Sequence, residues 1–310
     1  MNKFDSIRPY KDDEVKSVLS NLCNDSNIVK AFLSLNKTRA FNYLPFKHFL
    51  VTYYLKNKVK NVNSIKEYQD IFEAIVSDVV KTSINNFTVS GLENIHSDKS
   101  YLFISNHRDI TLDSALLNLT LHQNGFKTTN NAVGNNLLEE KWASDLMRLN
   151  KSFIIDRSDK SKKDIYKSLQ LASEFIFNSI VNENNSIWIA QKQGRSKDGL
   201  DYTDSSVLKM IHLNSRKLSS IDDYFNKLSV VPVSISYEKD PNDILKAKEL
   251  YLTSLNNTYQ KEKNEDLQSI SDGITGQKGD VHLSIGSEMT FEDTNYNEVA
   301  DAISEKIKSQ

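Results

Sequence analysis

A histidine and two carboxylates, His107, Asp109 and Asp113, stand close together in the stretch Ile104-Ser-Asn-His107-Arg-Asp-Ile-Thr-Leu-Asp113-Ser-Ala-Leu-Leu. An imidazole with an unperturbed pKa of about 6.5 takes and returns a proton near neutrality, and a carboxylate on its other ring nitrogen fixes the tautomer and stabilises the imidazolium. These residue types suit general acid–base catalysis. His107 is assigned the base and Asp113 its partner, with Asp109 as the alternative. The run Tyr101-Leu-Phe-Ile104 is short, apolar and β-prone, whereas the residues from Asp113 onward read as a helix opened by an acid. His107 therefore falls on the connecting loop, where a scaffold presents reactive groups.

The triplet His107-Arg108-Asp109 invites comparison with a protein-kinase catalytic loop, and the comparison fails. That pattern needs an Asn five residues after the Asp, a glycine-rich loop upstream and a later Asp-Phe-Gly. Here Ser114 stands at the first position, the first glycine is Gly91, and no Asp-Phe-Gly occurs.

A second segment, Ser186-Ile-Trp-Ile-Ala190, is a buried-strand pattern running into the basic turn Gln191-Lys-Gln-Gly194-Arg195-Ser-Lys197-Asp-Gly199. Arginine forms bidentate charge-assisted bonds and glycine permits close backbone approach, so Gly194, Arg195 and Lys197 suit an anion such as phosphate, with Lys192, Arg157 and Arg148 as further sources of positive charge. Together the two segments resemble the blocks of the glycerophosphate acyltransferase superfamily, in which Asn-His, four residues and Asp are followed later by Glu-Gly-Thr-Arg-Ser. Phe153-Ile-Ile-Asp156-Arg157 looks like the second block, Val230-Val-Pro232-Val-Ser-Ile the fourth, and Val281-His-Leu-Ser-Ile-Gly286 the strand that often follows. The resemblance spans roughly residues 87 to 290 and rests on the order of the blocks. Three departures stand out: five residues separate His107 from Asp113, Gln193 replaces the usual Glu at the acceptor site, and Gly194 is followed directly by Arg195.

The resemblance implies an O-acyltransferase that takes a fatty acyl group from acyl-CoA or acyl-carrier protein to a phosphorylated glycerol or lysolipid acceptor, with no cofactor and no metal. The chemistry is direct attack of the acceptor hydroxyl on the thioester, since no Ser or Cys lies in a nucleophile motif. Two other readings are a different hydroxylated acceptor such as a lyso-aminolipid, motivated by Gln193, and a non-catalytic lipid- or acyl-binding protein, motivated by the spacing at His107.

These residues need a scaffold, and the pattern along the chain supplies one. Before Gly91 there is no glycine, and Val15, Val18, Leu19 and Leu22, then Ile28 to Leu35, then a capping box at Ser64 and Glu67, predict helices. Residues 1–85 read as a helical N-terminal domain. From Phe87 the chain turns to short β-prone runs at 87–89, 101–104, 153–155, 186–190, 229–236 and 281–285, separated by amphipathic stretches such as Ile165 to Ile180. This predicts an α/β fold with a mixed sheet flanked by helices over 86–310, with a charged helical insertion at about 242–272. Trp142 and Trp188 read as packing residues.

The 39 basic and 41 acidic residues give a net charge of −2, which argues against nucleic-acid binding and requires any anion site to be local. The single Cys23 excludes a disulfide framework and suits a reducing cytoplasm, and the six histidines lack metal-ligand spacing. Neither a signal peptide nor a run of about 18 apolar residues is present, so a lipid substrate would be reached from the membrane surface, at its inner face. The segment from Phe41 to Lys60 mixes Phe46, Phe49, Tyr53 and Tyr54 with lysines and no acid, which suits a membrane interface, or else a core helix of the N-terminal bundle.

Overall fold

A computed structural model of the chain describes residues 3–35, 46–135, 140–157, 161–262 and 265–310. In chain order the elements are α1 (Asp12–Asn24), α2 (Ser26–Leu35), α3 (Lys47–Val59), α4 (Ile65–Ser83), β1 (Phe87–Ser90), β2 (Leu102–Ser105), α5 (Leu112–Gln123), β3 (Asn130–Gly134), α6 (Lys141–Leu149) and β4 (Ser152–Ile155). They continue as α7 (Lys162–Phe177), β5 (Ile187–Ala190), α8 (Ser205–Ile211), α9 (Ile221–Lys227), β6 (Val230–Tyr237), α10 (Asp243–Asn256), α11 (Glu265–Thr275), β7 (Val281–Ile285) and α12 (Tyr296–Lys308). The fold is α/β, with a seven-stranded sheet in the order β1-β7-β6-β2-β5-β3-β4. The central strand β2 runs parallel to both β5 and β6, whereas β7 is antiparallel to β6 and parallel to β1.

The chain forms two compact units, one of residues 1–72 with 133–154, the other of 73–132 with 155–310. This differs from the division near residue 85 read from the sequence, for two reasons. The helix α4 runs unbroken from Ile65 to Ser83, and α6 brings Leu149 into a core with Val15, Val18, Leu19, Leu22, Val62 and Tyr68. Trp142 packs against that same cluster. The expected capping box is present, Glu67 N–H donating to Ser64 Oγ and Ser64 N–H to the Glu67 carboxylate. In the same unit Val29, Leu33 and Val51 make a second cluster, while α3 leaves Phe46, Phe49 and Tyr53 exposed by 82%, 70% and 67%. Residues 41–45 of that aromatic segment lie outside the described residues.

In the larger unit, β2, β5 and the first six residues of β6 are largely apolar and covered on both faces, the pattern expected of strands at the centre of a parallel sheet. The strand β3 has no counterpart among the six runs picked out in the sequence, because it opens on Asn130 and Asn131. Their burial depends on partners: Asn131 Oδ1 accepts from Asn118 and from Thr129 Oγ1. The expected helical insertion is two helices, α10 and α11, and α10 ends where Asn257 takes a left-handed φ of 58°.

Candidate active site

The loops that follow β2, β5 and β6 meet at one end of the sheet. At the end of β2 the side chain of Asn106 stands in for backbone: its Nδ2 donates to the Ile235 carbonyl at 3.0 Å and its Oδ1 accepts from Ile235 N–H at 2.9 Å. The amide thus extends the β2–β6 pairing by one rung and fixes where the chain leaves the sheet. His107 comes next. Its Nδ1 lies 2.8 Å from Asp113 Oδ2, and its ring meets the Trp188 ring edge-on at 5.7 Å.

Asp113 is fully buried in the first turn of α5. Besides His107, its Oδ2 accepts from the N–H groups of Arg108 and Asp109 at 2.7 and 3.0 Å, and its Oδ1 accepts from Tyr237 Oη at 2.8 Å. Burial and the Asp113 charge hold the Tyr237 phenol well above its ordinary pKa, so it is a donor. With Nδ1–H directed at a carboxylate, the neutral ring carries its lone pair on Nε2. Asp109 does something else: its Oδ1 accepts from the N–H of Thr111 and of Leu112, at 2.9 and 2.8 Å. That turn accommodates the extra residue between His107 and Asp113 and satisfies N–H groups at the start of α5. Burial first, and then Asp113, raise the Asp109 pKa.

The turn after β5 is tied to the histidine loop by backbone, Ser196 N–H donating to the His107 carbonyl at 2.7 Å. Gly194 has φ +74°, a conformation that side chains disfavour. Arg195 Nη2 donates to Ser269 Oγ of α11 at 3.1 Å, while its Nη1 is buried without a hydrogen-bond partner among the described residues. Lys197 forms an ion pair with Glu249 of α10. Lys192 donates to the Leu200 carbonyl and lies 4.1 Å above the Tyr202 ring, and burial lowers its pKa. Gln193 is exposed and accepts from Arg157 Nη1 at 2.7 Å; burial lowers the Arg157 pKa. Arg148 belongs to the helical unit, where it donates to the carbonyls of Arg8 and Asp5.

Several residues of this site have no signal in the sequence reading. Arg108 pairs with Asp201, which also takes a 3.3 Å contact from Asn106. Lys246 of α10, only 5% exposed, donates to the Arg108 carbonyl at 2.7 Å and pairs with Asp240. Lys246 and Glu249 look like two members of a solvated charged helix, and Tyr237 is the last residue of an apolar strand. Only the loop contacts distinguish them. Among the described residues no group of three or more His, Cys, Asp or Glu is placed to hold a metal ion.

Residues 86–236 match the acyltransferase family. No curated protein matches the chain. Among solved structures, the 1-acyl-sn-glycerophosphate (LPA) acyltransferase PlsC of Thermotoga maritima is similar at 14% identity, covering 96% of this chain and 98% of that one with a TM-score of 0.42. The signal recognition particle receptor FtsY of Elizabethkingia anophelis in complex with GDP gives 12% identity, 96% and 92% coverage and a TM-score of 0.27.

Proposed function

We propose that the chain, whose residues 86–236 match the acyltransferase family, moves a fatty acyl group from acyl-CoA or acyl-carrier protein to a hydroxyl of glycerol 3-phosphate or a lysophospholipid, in phospholipid biosynthesis. The observation that carries this reading is the 2.8 Å His107–Asp113 contact lying on a loop bonded directly to the Gly194–Lys197 turn. His107 Nε2 takes the proton of the acceptor hydroxyl as its oxygen attacks the thioester carbonyl carbon. The tetrahedral adduct collapses with cleavage of the C–S bond, and the imidazolium returns the proton to the leaving thiolate. Asp113 holds the ring and stabilises its cationic form, while Arg195 and Lys197 are assigned to the acceptor's phosphate, with Lys192 and Arg157 as outlying positive charge. Gln193 belongs to the acceptor site.

The protein works at the inner face of the membrane without crossing it. Among the described residues no helix is long and apolar enough to span a bilayer, and the exposed rings of α3 offer an interfacial face. The test is a panel of hydroxyl acceptors offered to the purified chain with a long-chain acyl-CoA, with lipid products read by mass spectrometry and thiol release followed in parallel. Acylated glycerol phosphate or lysophospholipid is the expected product. Thiol release that ignores the acceptor, or acylation only of acceptors without phosphate, overturns the proposal.

A further inference from the structure

The insertion between β6 and β7 places a carboxylate on one of the two cations assigned to the acceptor. Lys197 and Glu249 are partly buried, with side chains 29% and 16% exposed, so their ion pair is less screened than one on an open surface. Three residues earlier, on the same face of α10, Lys246 grips the Arg108 carbonyl next to the candidate base. One turn of helix therefore spans from the histidine loop to the turn at Lys197. The neighbouring cation Arg195 is held differently: it donates to the neutral Ser269 hydroxyl, lies close enough to Asp109 for its charge to act on that carboxylate, and keeps a buried Nη1 without a hydrogen-bond partner among the described residues.

We propose that the Glu249 carboxylate occupies, on Lys197, the place of the acceptor's anionic group, so that the acceptor binds by exchange with it and Glu249 sets which anions are admitted. This rests on the assignment of Arg195 and Lys197 to the acceptor's phosphate. An entering anion must outcompete a carboxylate of charge −1 already in position. A phosphate monoester, at about −1.5 to −2 near neutral pH as in phosphoserine, is favoured in that exchange. A phosphodiester, with a single charge, gains little. Displaced from Lys197, the Glu249 carboxylate is left poorly hydrated unless α10 shifts toward solvent, so binding of the anion loosens the helix that holds the Arg108 carbonyl.

Binding of inorganic phosphate, sn-glycerol 3-phosphate and a glycerophosphodiester is measured by calorimetry on the full chain and on Glu249→Gln, Lys197→Ala, Arg195→Ala and the Glu249→Gln, Lys197→Ala double variant. Glu249→Gln is expected to tighten phosphate binding at least threefold and to narrow the preference for monoester over diester. Lys197→Ala weakens binding, and the double variant behaves like Lys197→Ala. In the wild type, which requires no variant to fold, added phosphate should speed amide hydrogen exchange in residues 243–256. Phosphate binding that depends on Lys197 but is unchanged or weakened in Glu249→Gln overturns the exchange and leaves the phosphate assignment standing. So does slower or unchanged exchange in α10 at saturating phosphate. No phosphate binding by the wild type, or binding indifferent to both Lys197→Ala and Arg195→Ala, overturns the phosphate assignment and the exchange together.

Discussion

Asp113 accepts from His107, from two backbone N–H groups and from Tyr237, whereas Asp109 accepts from the backbone at the start of α5. The two carboxylates therefore fail differently. His107→Ala is expected to lower turnover by about 10²–10⁴-fold, the usual contribution of a general base. Asp113→Asn should approach that loss, because an amide offers the ring no negative charge and can present the wrong group to Nδ1–H. Asp109→Asn should retain most of the activity and lose stability instead, by about 1 kcal/mol for a weakened cap. Steady-state kinetics paired with thermal melts decides, and the opposite ranking would show that Asp109 carries the charge that matters. Tyr237→Phe removes one hydrogen bond to a charged group, worth about 1.5–3 kcal/mol. Acting only through the orientation of Asp113, it should lower kcat and leave KM for the acceptor unchanged, and a raised KM with normal kcat would place Tyr237 at the substrate instead.

Among the elements, α3 offers the most direct test. Phe46, Phe49 and Tyr53 recur at three- and four-residue spacing and are all exposed, beside Lys47, Lys56 and Lys58. Aromatic rings favour the headgroup boundary and lysines favour anionic lipid. Replacing the three rings by Ser should reduce co-sedimentation with anionic liposomes while circular dichroism stays unchanged; a folded triple variant that still pellets with the liposomes would assign lipid contact elsewhere. The elements that were legible in the sequence are those whose burial is recorded in residue type: β2 and β5 as short apolar runs, β6 by its β-branched residues, α1 as a stripe, α4 by its capping box. The strand β3 was illegible because Asn130 and Asn131 are poor strand formers on their own; the segment pairs with β5, and the buried Asn131 side chain is satisfied by Asn118 and Thr129. Within the site, the His107 and Gly194–Lys197 segments were visible as local patterns. Lys246, Glu249 and Tyr237 were not, since their roles depend on loops more than a hundred residues away for Lys246 and Tyr237, and about fifty for Glu249.

For the molecule as a whole, the buried Lys278 makes stability depend on pH. Its ammonium donates to Ser83 Oγ and the Gly276 carbonyl, and burial lowers its pKa from 10.5 to about 8, with the Asp109 charge opposing part of that shift. The unfolded chain binds this proton up to a higher pH than the folded one, so the penalty of the buried charge is present below about pH 8 and is relieved as pH rises toward 10.5. Wild type should therefore gain stability relative to Lys278→Met between pH 7 and about 9.5, read as the difference in urea midpoints. A difference that stays flat across that range would mean the lysine is charged throughout. The smaller unit has a consequence of another kind, which concerns time. Its core joins α1 and α4 to Leu149, yet the segment carrying Leu149 is separated from α4 by β1, β2, α5 and most of β3. A ribosome thus delivers the first helices of that unit well before the helix that completes their core. During synthesis the apolar stripe of Val15, Val18, Leu19 and Leu22 waits without its last partner, and a nascent chain halted before residue 141 should be the form that chaperones hold and proteases cut.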